Sequence, residues 1–180
     1  MKKLAIASLI ALSFAATAAD YVSVDIDHVK DVTTKAISDV QYIRIGKELS
    51  GIQFGLQSRT ATAHAGGMLN SVEVTGGKSV GLISPFVGVG YDNGINGAKN
   101  TGYTYGLVGA TTGLPVGPGY ALIGAKTRVG STEAVDTKQT VAFGTYSLPL
   151  AKGVAFNVNV SKSYQDIKEN AYGAGIKFSF

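Results

Sequence analysis

The sequence has no cysteine and no tryptophan, and only 16% of its 180 residues are charged. The lack of cysteine excludes a disulfide scaffold and a cysteine-based metal site. Beyond the first 20 residues, no stretch approaches the roughly 18 consecutive apolar residues of a transmembrane helix. The formal net charge is +4, with both signs spread along the chain. This is not the charge pattern of a nucleic-acid-binding protein, so no nucleic-acid partner is expected.

The N-terminus has the pattern of a secretory signal peptide. Met1-Lys2-Lys3 is a short basic segment, an apolar run extends from Leu4 to Ala16, and small residues precede Asp20. These are the three regions of a signal peptide and its cleavage site. The apolar run is shorter than the roughly 20 residues that a membrane-spanning helix needs. We therefore predict a cleaved signal peptide over residues 1–19 and a mature chain over residues 20–180.

Apolar and polar residues alternate through most of the mature chain, which is the period of a strand with two unlike faces. In segment 51–60, for example, Ile52, Phe54 and Leu56 alternate with polar residues and glycine. The pattern predicts an all-β protein with ten strands. Eight strands are the alternative, because the 161 residues of the predicted mature chain, 180 less the 19 of the signal peptide, also suit an eight-stranded barrel with longer loops. The fourth and fifth segments are the weakest pair, since Gly76, Gly77 and Gly81 blur their alternation. The predicted strands are 20–28, 39–48, 51–60, 70–79, 83–92, 102–113, 119–130, 138–148, 153–163 and 170–180.

The links between these strands alternate in length. Short links, which hold or flank all four prolines, are predicted near residue 50 and at 79–81, 115–118 and 150–152. Longer links are predicted at 29–38, 61–69, 93–101, 131–137 and 164–169. Short turns on one side and longer loops on the other are typical of an antiparallel up-and-down transmembrane β-barrel, with both termini on the short-turn side.

The two faces of the strands differ in charge, and this predicts which one lines the lumen. A charge that faces lipid at mid-depth costs about 2–4 kcal/mol for Arg or Lys, so the charged faces are expected to point inward. We expect the inward glycines Gly88 and Gly90 to leave room for Arg128 or Arg59. Tyrosines 91, 103, 105, 164 and 172 are predicted to lie in an interfacial belt on the loop side. The predicted lumen charges are Asp25, Asp27, Arg44, Glu48, Arg59, Glu73, Lys126, Arg128 and Lys177.

The segment Tyr172-Gly-Ala-Gly-Ile176-Lys-Phe178-Ser-Phe180 resembles the C-terminal signal of small porin-like outer-membrane β-barrels of Gram-negative bacteria. Segment Pro85–Tyr91 and the hairpin 109–128 are similar to strands of the same superfamily. The resemblance implies an outer-membrane location. It also implies that the barrel assembly machinery reads the last strand through Tyr172, Ile176, Phe178 and Phe180. It carries over no catalytic motif and no cofactor or metal site.

A few side chains have a second, chemical interpretation. His28 and His64 are predicted on loop-side connections, near Asp27, Asp31 and Ser58, where some outer-membrane enzymes place their active sites. Solvated loop residues are the simpler interpretation. Asp25 and Asp27 resemble a carboxylate pair, but ion pairs with Arg44, Arg59 or Lys177 are favoured. Five loop lysines are candidates for contact with lipopolysaccharide phosphates or are merely solvated: Lys30, Lys35, Lys99, Lys138 and Lys168.

The leading functional hypothesis is a porin-like or structural barrel with a narrow or plugged polar lumen, which could pass ions or small solutes. The alternatives are an enzyme that acts on lipid at the extracellular rim, an adhesin or binding barrel that uses its loops, and a soluble lipocalin-like barrel. We expect outer-membrane lipid and lipopolysaccharide as partners, and no catalytic residues.

Overall fold

The computed structural model describes residues 20–62, 68–93, 95–96, 99–100, 102–132 and 138–180. All regular structure in these ranges is β-strand. The strands are β1 (Tyr21–Asp31), β2 (Ile37–Leu49), β3 (Ile52–Thr62), β4 (Met68–Gly77), β5 (Ile83–Asp92), β6 (Ile95–Asn96), β7 (Lys99–Asn100), β8 (Tyr103–Val116), β9 (Gly119–Ser131), β10 (Gln139–Ala151), β11 (Val154–Gln165) and β12 (Glu169–Ser179). No helix in the described ranges is long and apolar enough to cross a membrane.

Ten of these strands form a closed antiparallel barrel in the order β1-β12-β11-β10-β9-β8-β5-β4-β3-β2. β6 and β7 pair only with each other, within the link between β5 and β8. The prediction of a ten-stranded up-and-down barrel is confirmed, and the eight-stranded alternative is wrong. The predicted signal peptide, residues 1–19, lies outside the described residues.

The short turns follow from local backbone chemistry. Ser50 and Gly51 connect β2 to β3 and have φ angles of 52° and 77°. A two-residue hairpin with positive φ at both central residues matches the right-handed twist of the strands that it joins. Gly117 and Gly153 supply the positive φ in the turns after β8 and β10. The short links predicted from glycine and proline are therefore where the structure has them.

Two links that the sequence predicts as long are short. The predicted loop 29–38 shrinks to residues 32–36, because β1 continues to Asp31 and β2 begins at Ile37. Val29 extends the alternation of β1 and packs with Val40, Ala61 and Ala171 in a buried apolar cluster at the loop end. The predicted loop 164–169 shrinks in the same way to residues 166–168. Burial of Val29 thus extends the ladder into a segment that was predicted to be a loop.

Register determines which side chains point into the barrel. Asp25 lies opposite Tyr42 and Gly175, while its neighbour Ile26 lies opposite Gln41 and Ala174. The first set faces inward and the second outward, because successive side chains alternate. Aliphatic residues such as Val87 and Val89 are about two-thirds exposed on the outside, at 64% and 65%. The barrel is therefore apolar outside and largely polar inside, the reverse of a soluble barrel.

Candidate functional site

The lumen contains a continuous chain of polar contacts at mid-depth, which we call the polar girdle. It begins at Asp25, whose side chain is fully buried and accepts a hydrogen bond of 2.5 Å from Arg44. Arg44 Nε donates to Gln57 at 3.0 Å, and the Gln57 amide donates to Glu73 at 3.3 Å. These residues come from β1, β2, β3 and β4, so the girdle passes along four neighbouring strands.

Glu73 connects the girdle to β8 and β9, beyond the neighbouring strand β5. Lys126 of β9 donates to its carboxylate. Tyr105 of β8 donates its hydroxyl to the same carboxylate at 3.2 Å. The Glu73 and Lys126 side chains are only 11% and 20% exposed, so the charges are largely removed from solvent. A buried ion pair with further hydrogen bonds keeps each charge compensated.

The girdle extends from Asp25 in the opposite direction through β11 and β10. The amides of Asn157 and Asn159 donate to Asp25 at 3.4 Å and 3.0 Å, and Asn159 also reaches Asp27 at 3.4 Å. Thr145 and Ser147 of β10 donate to these two asparagines at 2.9 Å and 2.8 Å. Eight of the ten barrel strands thus contribute a side chain.

The other two barrel strands, β5 and β12, carry glycine at this level. Gly175 lies between Asp25 and Asn157 in register, and Gly173 lies between Asp27 and Asn159. A Cβ at either glycine would collide with the neighbouring aspartate carboxylate. Gly90 of β5 lies between Glu73 and Tyr105, and a Cβ there would collide with the tyrosine ring. These glycines provide the space that the girdle side chains occupy.

On the loop side of the girdle, inward side chains fill the lumen. Arg128 donates to the Tyr103 hydroxyl at 2.9 Å, lies 4.1 Å from the centre of the Tyr105 ring and 3.8 Å from Asp92. Leu107 is 2% exposed beside them. The apolar cluster around Val29 occupies the same end of the barrel, packed against Tyr42. This half of the lumen is packed in the part of the chain that the structure describes.

On the short-turn side of the girdle, the lumen is a cavity of about 610 Å³. Its lining starts at the strand ends, at Asp20, Glu48 and Gln53, and reaches inward as far as Asp27 and Glu73. The loop-side residues Asp92, Tyr105, Leu107 and Arg128 do not line it. The barrel is therefore open at the short-turn end and filled beyond mid-depth.

The nine predicted lumen charges occupy three levels. Asp25, Arg44, Glu73 and Lys126 form the girdle, and Asp27 adjoins it. Arg59 and Arg128 point inward on the loop side, and Lys177 points into the cavity. Glu48 lies at the cavity mouth, where it is exposed. The room left by Gly90 is taken by Tyr105, not by Arg128 or Arg59, and a Cβ at Gly88 would meet Thr75.

Several lumen residues were missed by sequence reasoning. Asp92, Asn157 and Asn159 are buried and point inward, and their positions on the polar face of an alternating strand were the available signal. Tyr103 and Tyr105 were expected in an outer belt, but both hydrogen-bond inside the lumen. The bulge between Tyr105 and Gly106 is not visible in the alternation. The other three belt residues, Tyr91, Tyr164 and Tyr172, are exposed on the outside.

The first described residue, Asp20, is held at the cavity mouth by hydrogen bonds. Asp20 accepts hydrogen bonds from the backbone N–H of Glu48 at 2.6 Å and from Lys47 at 3.0 Å. These two donors hold the pKa of the Asp20 carboxyl below its usual value. Phe180 N–H donates to the Asp20 carbonyl at 3.1 Å, so the two ends of the barrel chain meet here.

The candidate rim residues do not assemble into an active site among the described residues. His28 lies on the outer face of β1, where it contacts Asp39 at 2.9 Å and the Tyr172 ring at 5.3 Å. Its neighbour Asp27 points into the lumen, and Asp31 accepts the backbone N–H groups of Thr33 and Thr34. No described hydroxyl group hydrogen-bonds to the His28 ring. Ser58 faces outward on β3, and His64 lies outside the described residues.

The outer face of β12 displays the four residues of the predicted assembly signal. Tyr172, Ile176 and Phe178 alternate with inward residues along the strand, and Phe180 follows it. Tyr172 and Phe180 are 61% and 64% exposed. Four of the five lysines predicted on the loop side are exposed at the loop end of the barrel: Lys30, Lys35, Lys138 and Lys168. The side chain of the fifth, Lys99, lies outside the described residues.

No family model matches the chain, and no curated protein matches it in sequence. Solved structures do match it. The β domain of the Bordetella autotransporter Brka is 11% identical, with a TM-score of 0.54 over 89% of this chain and 98% of that one. The translocator domain of the autotransporter NalP from Neisseria meningitidis is 11% identical, with a TM-score of 0.50 over 89% of this chain and 87% of that domain. Neisserial surface protein A is 12% identical over 89% of this chain and 96% of that protein, with a TM-score of 0.47.

The likeness to the two autotransporter domains concerns the fold. Together with the closed ten-stranded sheet, it confirms the outer-membrane β-barrel fold that the C-terminal segment and the alternation predicted. The chain therefore has the fold of the small outer-membrane β-barrels.

Proposed function

We propose that this protein is a structural outer-membrane barrel whose lumen is closed at mid-depth, so that it does not pass solutes. The observation that carries the proposal is where the cavity stops. It extends from the short-turn end to Glu73 and Asp27, and the inward residues beyond them, Tyr105, Leu107 and Val40, are at most 3% exposed. A solute would have to displace charge-paired side chains to pass, which is costly at low dielectric.

The apolar outer face supports placement in a bilayer. Closure into a barrel satisfies all backbone N–H and C=O groups between strands, which a hydrocarbon environment requires. In this placement the exposed lysines of the loop rim lie at the level of lipid head groups and would contact the phosphates of lipopolysaccharide. The outer face of β12 is the surface that the barrel assembly machinery would read.

Planar-bilayer recording of the refolded protein tests the closed lumen. We expect no steady channel from the native sequence. The double variant Tyr105→Ala, Lys126→Ala removes the two side chains that reach Glu73 from β8 and β9, and we expect it to show openings. Tyr120→Ala is the matched control, because Tyr120 lines the open cavity and takes no part in the girdle. A steady conductance from the native protein would contradict the proposal and favour a porin.

A further inference from the structure

The cavity on the short-turn side has two chemically unlike walls. Phe86 of β5, Tyr120 and Leu122 of β9 and Phe143 of β10 form an apolar wall. Lys177 of β12 lies on the other side. In the strand order of the closed barrel, β12 and β5 are five positions apart in a ring of ten, so they face each other. The cavity therefore places the Lys177 ammonium opposite Phe86, while the apolar residues of β9 and β10 lie three and two strands away from β12.

Glycines on neighbouring strands keep this cavity open. Phe86 lies directly opposite Gly109, and Phe143 directly opposite Gly124. A Cβ at either glycine would collide with the ring of its partner. The rings therefore lie against the barrel wall, above a position without a side chain, instead of pointing towards the axis. This packing leaves a hollow of about 610 Å³, within the range of small-molecule sites.

Lys177 differs from three of the other four predicted lumen cations in its partner, whereas Arg59, like Lys177, forms no ion pair among the described residues. Arg44, Lys126 and Arg128 each face a carboxylate, at Asp25, Glu73 and Asp92 respectively. Within the described ranges, Lys177 forms no ion pair, and its recorded contact is with the Tyr21 ring, 4.4 Å from the ring centre. A cation–π contact lowers the cost of a partly buried ammonium group but does not neutralise its charge. The Lys177 ammonium is thus without a carboxylate partner, although the carboxylates of Asp27 and Glu48 also line the cavity without an ion pair among the described residues.

We propose that this cavity binds a small amphipathic carboxylate. The carboxylate would pair with Lys177, and the apolar body would lie against Phe86, Leu122 and Phe143. The ligand would enter from the short-turn end, where Asp20 and Gln53 line the mouth. An aromatic acid and a short fatty acid share this chemistry. The inference goes beyond the proposed function. The cavity lies on the short-turn side of the girdle, so it could bind a ligand whether or not ions pass through the girdle.

Binding is tested on the native protein in lipid nanodiscs, by isothermal titration calorimetry against empty nanodiscs. The probes are 2-naphthoate, octanoate and the neutral 2-naphthamide. We expect saturable binding of at least one acid, and at least tenfold weaker binding of the amide than of 2-naphthoate if the aromatic acid is the better ligand. A preference for octanoate would assign the site to short fatty acids. Saturable binding of neither acid beyond that of empty nanodiscs would overturn the proposal.

Variants locate the binding within the barrel. Lys177→Met is expected to weaken binding of the preferred acid at least tenfold, and Lys177→Arg to retain most of it. Lys152→Met is the matched control, because Lys152 is an exposed cation in a turn at the same end of the barrel. Unchanged acid binding by Lys177→Met would overturn the assignment. Lys177→Gln replaces Lys177→Met if that variant fails to refold. Silent bilayer recordings without acid binding would overturn only this inference, and steady channels with acid binding would overturn only the proposed function.

Discussion

Lys126 on β9 donates a hydrogen bond to Glu73 on β4, although two strands, β8 and β5, lie between them in the barrel wall. The contact therefore crosses part of the lumen instead of following the wall. It can form because Gly90 and Gly109, on the intervening strands, have no side chains in its way. The closed lumen thus depends on both the charged residues and the glycines between them.

Removing one partner of this pair should destabilise the barrel more than removing both. Glu73→Ala leaves the Lys126 ammonium in the lumen without its carboxylate, and we expect the free energy of unfolding to fall by about 3 kcal/mol. The double variant Glu73→Gln, Lys126→Met should lose clearly less unfolding free energy than Glu73→Ala, because it leaves no unpaired charge. Urea unfolding in lipid vesicles, followed by the heat-modifiable gel shift, measures both. Glu48→Ala, at the exposed mouth, is the control, and a loss there as large as in Glu73→Ala would argue against a specific pair.

Gly90 should tolerate no side chain as long as Tyr105 is present. A Cβ at position 90 meets the Tyr105 ring, which is buried and bonded to Glu73, so it cannot move away freely. We expect Gly90→Ala to cost about 1–3 kcal/mol of unfolding free energy, the usual range for overpacking. Gly144→Ala should cost much less, because the nearest atom to its Cβ is 3.5 Å away.

A double-mutant cycle checks the cause of this effect. In a Tyr105→Ala background the clash is gone, so Gly90→Ala should be nearly neutral. An equal loss in both backgrounds would mean that the glycine is needed for backbone conformation and not for space.

The strand count could be predicted from the sequence because alternation is a local property. The polar network could not, because its partners lie far apart in the chain. Asn159 and Asp25 belong to strands at opposite ends of the sequence, and only closure of β12 onto β1 brings them together. Nine charged residues could be assigned to one face, but the partner of each depends on register and barrel size. The position of Tyr105 was predicted wrongly because a tyrosine is suited both to an interfacial belt and to a hydrogen bond inside the lumen, and only the register decides between them.

Loss of the terminal aromatic residue should impair assembly in cells but not folding in pure lipid. Phe180 is exposed beside the outer face of β12 and makes one backbone contact, with Asp20, so its ring adds little to the barrel itself. We expect deletion of Phe180 to reduce the folded outer-membrane fraction severalfold in cells. Refolding into vesicles without other proteins should be nearly normal. Phe54→Ala is the control, as another exposed outer phenylalanine. Normal levels in cells without Phe180 would contradict its role as an assembly signal.

A charge on the outer face should reveal whether that face contacts hydrocarbon. Val87 lies halfway along β5 and is 64% exposed, while Val80 lies in the short turn before it and is 70% exposed. In water, arginine at either exposed position would change stability by no more than about 0.5 kcal/mol. In a bilayer, Val87→Arg should cost about 2–4 kcal/mol and Val80→Arg no more than about 1 kcal/mol, since the cost falls towards the interface. Vesicle refolding equilibria of the two variants give this difference directly. Because the two side chains are similarly exposed in the folded chain, equal and small losses could arise only if β5 faces water.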